Sequence, residues 1–435
     1  MWIRIFIVLG FIAVSTMEKR LDLSSHSLTK EKFFLELQAH INLHEVTDLI
    51  LHNNNFDSFL DCSANLDALR TLDLSYNHLQ RFFFLCKEEY NLIVLNVSHN
   101  HLEYISEDSL NHRIPNLQVL DLSWNRLTGV NETMLEHMQK LNNLSMASNP
   151  IGNGIHENAF SNLSLLTHLN LENISANYFP DSLFQPLSSL LNLNISYNPI
   201  ETIPALPTSL ESLDISGTNI FYVGNVILPN LLELYMNDMP NVTSVALNDF
   251  ENFTKLNVLS ISRCKNLVQL RVWPPRNDLL PHLSELSVEN DSLNTIDVYL
   301  QPIMQRTHIV RLGGNPWTCD CNMQWVLSLN NTNNPSSEIR CSSPKVHENK
   351  QLSSIPSHEL QCEFLSSDLY LALWACVLVL ILAGILATVF FVARGPLTQW
   401  LLRRKRRDTV TYTNVMESTD NLVRILADDE SRDGF

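Results

Sequence analysis

The chain has 435 residues, 45% of them hydrophobic and 17% charged, which is apolar enough to bury a core and too weakly charged for a disordered chain. Asp and Glu number 46 against 29 Lys and Arg, a formal charge of −17; this argues against a nucleic-acid partner, because such affinity comes mainly from cations on phosphate. Glycines number 11, and none falls in a GxGxxG or GxxxxGK[ST] run, so the sequence offers no phosphate cradle.

Residues 1–15 read MWIRIFIVLGFIAVS: one cation, Arg4, an apolar run over residues 5–14, and small Ala13 and Ser15 at the cleavage-site positions. This is the pattern of a secretory signal peptide, and it predicts an oxidising compartment for the segment beyond it. Residues 16–45 are expected to form an N-terminal lid, with Leu21, Leu23, Leu28, Phe33, Phe34 and Leu37 as its apolar groups.

Over residues 46–317 one pattern recurs, LxxLxLxxNxL, with other aliphatic residues standing for Leu. Clear copies are Leu69-Leu72-Leu74-Asn77-Leu79, Leu92-Leu95-Val97-Asn100-Leu102, Leu117-Leu120-Leu122-Asn125-Leu127, Leu141-Leu144-Met146-Asn149-Ile151 and Leu190-Leu193-Ile195-Asn198-Ile200. Further starts at Val46, Leu166, Leu210, Leu231, Leu256, Leu283 and, degenerate, Thr307 make twelve, spaced 20 to 27 residues apart. The LxL element puts two apolar side chains on one face of a short strand, and each unit buries that face only by stacking on its neighbours. The Asn side chain is suited to satisfy backbone groups of the adjoining turns. Ile174, Thr218, Met239, Cys264 and Asp291 replace it, which predicts a less regular second half.

This pattern resembles the leucine-rich repeat, whose units run about 20 to 29 residues. The resemblance implies an α/β solenoid, a curved horseshoe with parallel strands on its concave face. Residues 315–362 hold Asn315-Pro316-Trp317-Thr318-Cys319-Asp320-Cys321, then Cys341 and Cys362. They resemble the C-terminal flanking cap of secreted and cell-surface leucine-rich-repeat proteins, which implies the pairs Cys319 with Cys341 and Cys321 with Cys362. The N-terminal end departs from that family, since no cysteine occurs in residues 16–61. Cys62 and Cys86 occupy nearly equivalent positions of successive repeats, about one strand spacing apart, which suits a third disulfide; the alternative is two buried thiols. Cys264 and Cys376 are expected to be unpaired.

Residues 369–393 are 25 in a row without a charge. As a helix they reach about 37 Å, beyond the ~30 Å hydrocarbon core, so one transmembrane helix is expected. Arg394 and the cluster Arg403, Arg404, Lys405, Arg406, Arg407 come after it, whereas Glu363 and Asp368 precede it. That asymmetry predicts a single-pass type I protein of the plasma membrane, N-terminus outside. The tail, residues 394–435, is expected to be disordered. Within it, Tyr412 and Val415 match both a YxxΦ sorting signal and the YxN context of SH2-type partners, although four-residue matches also arise by chance.

Residues between the pattern leucines face outward from the strands, and Asp73, Tyr76, Asp121, Trp124, Tyr197, Asp214 and Tyr235 are the candidate ligand face. The simpler alternative is a polar, solvated sheet. Ten NxS/T sequons stand at Asn96, Asn131, Asn143, Asn162, Asn173, Asn194, Asn241, Asn252, Asn290 and Asn330, all before the span. Those at Asn96 and Asn194 coincide with the repeat consensus, and glycans there would screen part of the concave sheet. His78, His99 and His101 read as solvated turn residues. There is no GxSxG and no HExxH, so neither an enzyme nor a cofactor is expected.

The whole most resembles the single-pass leucine-rich-repeat surface proteins of animals. That resemblance implies an extracellular or cell-surface protein as partner, and cell recognition or adhesion as the first functional reading. The second is a receptor or co-receptor, possible also in immune signalling, that regulates by binding and internalising a partner. A Toll-type receptor would carry a large cytoplasmic interaction domain, which a tail of about 42 residues is not expected to hold.

Overall fold

The computed structural model describes residues 19–33, 43–61, 66, 68–329, 335–362 and 367–405. Residues 1–15, expected to be a signal peptide, together with Phe34, Leu37, Cys62, Asn330, Tyr412 and Val415, lie outside them. Two compact units result, divided after Cys362.

The first unit is a leucine-rich-repeat solenoid. Its main sheet has thirteen parallel strands of three residues each, in chain order: β1 (Arg20–Asp22), β2 (Asp48–Ile50), β3 (Thr71–Asp73), β4 (Val94–Asn96), β5 (Val119–Asp121), β6 (Asn143–Ser145) and β7 (His168–Asn170). Next come β8 (Asn192–Asn194), β9 (Ser212–Asp214), β10 (Glu233–Tyr235), β11 (Val258–Ser260), β12 (Glu285–Ser287) and β13 (Ile309–Arg311). The central leucines Leu49, Leu72, Leu95, Leu120 and Leu144 stand opposite one another from strand to strand. They are buried, while their strand neighbours, such as Thr71 and Asp73, stay partly exposed. Each repeat thus presents one wet and one dry face, and burial of each leucine contributes about 1.5–3 kcal/mol.

β2 to β13 fall on the twelve repeat starts. β1 is additional: the N-terminal segment completes the sheet edge, with Thr47 N donating to the Lys19 carbonyl (3.0 Å) and Leu23 N to that of Ile50 (2.8 Å). The signal was in the sequence, since Leu21, Leu23 and Leu28 repeat the LxL and outer-leucine spacing. On the opposite side of the solenoid the chain runs through short 3-10 turns and two small parallel pairs, Ser58–Leu60 with Arg81–Phe83 and Ser244–Ala246 with Gln269–Arg271. Phe56, Phe59, Phe82, Phe84, Phe160 and Phe250 fill the space between the two sides.

The consensus asparagines form a ladder. Asn77 Oδ1 accepts from Phe56 N of the preceding repeat (3.0 Å), and its Nδ2 donates to the carbonyls of Leu51 and Leu74 (3.0 Å each). Asn100, Asn125 and Asn149 repeat that arrangement, so buried backbone groups that no strand can pair are satisfied. Where the asparagine is replaced, the register persists and the substitutes improvise. Thr218 Oγ1 donates to Ile215 O (2.7 Å), Cys264 Sγ accepts from Met239 N (3.4 Å), and Asp291 Oδ1 accepts from Cys264 N (2.6 Å).

At the C-terminal end Trp317–Thr318 pairs with Cys341–Ser343. Trp317 is fully buried and its Nε1 donates to the Leu312 carbonyl at 2.8 Å. Cys319 is bonded to Cys341 and Cys321 to Cys362. Cys86 is disulfide-bonded, and Cys62, the partner expected for it, lies outside the described residues. Cys264 is free and buried, and Cys376 is free.

The second unit contains one helix, Ser367–Lys405, in which Leu371–Val392 is long and apolar enough to cross a membrane. The helix corrects the expectation that disorder begins at residue 394, because it continues without a break to Lys405. It does so through Gly395 and Pro396, where proline offers no backbone donor, and the leucines and basic residues on the far side favour its continuation.

Candidate binding face

The face is set by the two wet positions of each strand and by the two residues after the second pattern leucine. At the last strand position Asp73, Asn96, Asp121, Asn194 and Asp214 share one local device. Each Oδ1 accepts from the backbone N of the serine two residues on, at 2.9 to 3.0 Å. The bond holds the side chain against the sheet and leaves the second oxygen of each aspartate for other partners. No cation reaches Asp73, Asp121 or Asp214 among the described residues, although each is half-buried.

The next column is the turn residue just before the ladder asparagine, where the backbone is left-handed. Tyr76, His99, Trp124 and Tyr197 hold φ of 53°, 53°, 55° and 54° there, while Gly217 and Gly314 fill the same position in later repeats. A non-glycine side chain in that region costs about 1–2 kcal/mol, so folding alone would not choose large rings for it. Tyr76 and His99 are stacked with centroids 3.9 Å apart, and His99 and Trp124 at 5.2 Å. His52 meets the far side of Tyr76 edge-on at 5.0 Å. Tyr76 and Trp124 remain 49% and 55% exposed. The expectation for His99 is thereby corrected: it is the middle ring of a stack, and burial pushes its pKa below the usual imidazole range, with Asp121 opposing the shift. His78 and His101 also stack on each other, at 5.5 Å.

Toward the other end the charges are already compensated. Arg263 forks onto Asp238 with contacts of 2.8 to 3.1 Å, and holds that carboxyl below the usual carboxylate range. Tyr197 Oη donates to the same Asp238 at 2.9 Å, its ring lying across Gly217, where any side chain would collide with it. Arg311 Nε pairs with Glu285 at 3.0 Å. Tyr235 Oη donates to Glu233 (3.3 Å), and burial, reinforced by that carboxylate, raises its pKa. Between the ends lies a shallow groove of about 440 Å³, lined by Asp121, Asn143, Ser145, His168, Asn170 and Asn194 among others.

The sequons divide by place. Asn96, Asn143 and Asn194 lie on β4, β6 and β8, so Asn143 joins the two whose position in the sheet was legible from the consensus. Asn173 and Asn290 occupy left-handed turns. Asn131, Asn162 and Asn241 are exposed away from the main strands. Asn252 Nδ2 donates to Gly224 O at 3.2 Å.

Continuous parallel strands, an asparagine ladder and a disulfide-closed end define a leucine-rich-repeat protein. A leucine-rich-repeat family model matches residues 115–175. Toll-like receptor 9 of Bos taurus is 30% identical over 226 residues, 47% of this chain and 20% of the receptor. The repeats are thus homologous to those of Toll-like receptor 9, and the chain spans about a fifth of the length of that relative. Among solved structures, the TLR13–ssRNA13 complex superposes with a TM-score of 0.55 at 21% identity, covering 78% of this chain and 57% of the other. A chain of the octameric complex of Latrophilin 3, Unc5D and FLRT2 gives 0.53 at 20% identity, covering 73% and 91%. These two likenesses establish the fold.

Proposed function

We propose that the chain is a membrane-anchored receptor or co-receptor whose solenoid binds an extracellular or cell-surface protein through the concave sheet. The observation that carries this reading is the sheet itself: a long row of wet strand positions bearing aspartates without cations and aromatic rings in costly turn conformations. Homology to Toll-like receptor 9 supports the receptor reading over cell adhesion. The acidic face favours a protein partner with basic side chains over a nucleic acid, whose phosphates it would repel. The cationic cluster after the span supports a type I orientation at the plasma membrane.

A glycan wedge tests the reading. Asn170-Leu171-Glu172 becomes an acceptor site in Glu172→Thr, on β7 in the centre of the sheet. Full-length protein displayed on cells is screened against secreted and cell-surface proteins, and the variant is expected to lose at least about tenfold in affinity for the ligand found. A ligand whose binding tolerates an occupied Asn170 would move the site off the concave sheet.

In the tail, Tyr412 with Val415 serves on this reading as an uptake signal, and phosphorylation of Tyr412 would replace adaptor docking by an SH2-type contact. Tyr412→Ala is expected to lengthen surface lifetime in a biotinylation chase. An unchanged lifetime would remove the signal.

A further inference from the structure

We propose that Tyr76, His99 and Trp124, with Asp73 and Asp121 beside them, form a docking site for an arginine-bearing segment of the protein partner. The inference rests on the reading of the concave sheet as the ligand face and adds the place and the chemistry. Three successive repeats contribute the rings, and β3 and β5 contribute the carboxylates. The column ends at Trp124, because the next turn residue is Ser148, so the far side of the indole meets no further ring among the described residues. Serines clamp one oxygen of each aspartate, through Ser75 and Ser123, and the other has no partner among the described residues.

A guanidinium fits this combination better than an ammonium. Its plane stacks on an indole while its N–H fork binds a carboxylate, whereas lysine offers a point charge that holds its water. The protein uses the carboxylate part of this chemistry within itself in the turn column, where Arg263 of the next repeat forks onto Asp238. On the same sheet Arg20 of β1 pairs with Asp22 at 3.4 Å, whereas among the described residues no arginine pairs with Asp73 or Asp121. His99 matters to the sign of the site. While neutral it adds aromatic surface without charge; once protonated it would repel the incoming cation, with Tyr76 stacked on it and Asp121 and His52 acting on its charge.

The test uses the full-length protein in lipid nanodiscs and a fluorescein-labelled peptide of arginines spaced by glycine, with its lysine counterpart and a single-stranded oligodeoxynucleotide of the same length as comparisons. The arginine peptide is expected to bind more tightly than the lysine peptide. Trp124→Ala and Asp121→Asn are each expected to weaken it about tenfold, Trp124→Phe to restore part of the loss, and Glu289→Gln to leave it unchanged. Lowering the pH from 7.5 to 5.5 is expected to weaken binding, and His99→Phe to remove that dependence. The ring is tolerated there, since Tyr76 and Trp124 adopt the same backbone conformation.

Equal losses in Glu289→Gln would reduce the effect to general acidity and overturn the site, as would preference for the oligonucleotide. Full glycan occupancy of Asn96, which lies on β4 between the two aspartates, would overturn it too. A natural ligand blocked by the glycan at Asn170 yet indifferent to Trp124→Ala would leave the concave face standing and this site refuted.

Discussion

Cys321→Ser is expected to destabilise the solenoid by about 2–5 kcal/mol and to hold the protein inside the cell. Cys321 and Cys362 are separated by 41 residues in sequence, against 22 for Cys319 and Cys341, so this bridge removes the larger loop from the unfolded ensemble. The segment it closes covers the apolar end of the repeat stack. Trp317, Met323, Val326 and Leu352 are fully buried there, and loosening the cap would wet all of them together. Cys264→Ala is the control, since that thiol is buried and unpaired and its loss touches only the ladder contacts of one repeat. Surface labelling of intact cells and the thermal midpoint of the purified chain give the two readouts. Wild-type surface levels with an unchanged midpoint would show that the bridge does not hold the cap.

Asp291→Asn is expected to stabilise the protein by about 1–3 kcal/mol at pH 8 and to change little at pH 4. Asp291 stands where seven repeats carry the ladder asparagine, whose amide donates to carbonyls of its own and the preceding repeat; here the equivalent carbonyls belong to Val288 and Ile261. Asp291 Oδ1 accepts from Cys264 N, two residues before the donor used at Asn77 or Asn100, and Oδ2 is buried with no partner among the described residues. A carboxylate oxygen can mimic the missing amide only by carrying a proton. Burial pushes the pKa from the ordinary 3.8 up to about 7, against the opposing bond from Cys264 N and the charge of Arg263.

Because the folded pKa lies above the unfolded one, the protonated acid's contribution is fully present below about pH 4 and is lost as pH rises to about 7. The wild type should therefore lose stability across that window, and Asp291→Asn should lose less. Thermal midpoints of both proteins from pH 4 to 8 supply the comparison. Parallel curves would show that Asp291 is ionised throughout and paired by some other means.

Residue spacing by itself determined twelve of the thirteen strand positions and the buried leucines, because in a solenoid each pattern residue meets the same position of the next repeat. It also marked the helix long and apolar enough to cross a membrane, and it placed Asp73, Tyr76, Asp121 and Trp124 at outward positions of the repeats. The cap pairings rested on likeness to a known cap, and their geometry came with the fold. What spacing did not disclose is how side chains across repeats combine. Tyr76, His99 and Trp124 are 23 and 25 residues apart in sequence and stack only because one left-handed turn position recurs at each strand spacing. His99 read as a solvated turn residue for that reason. Tyr197 reaches Asp238 only because Gly217 lets a ring pass between the two repeats, and Arg263 neutralises that same aspartate. The charge of a face and the raised pKa of Asp291 are properties of neighbours brought together by stacking, and that information exists only once the chain has folded.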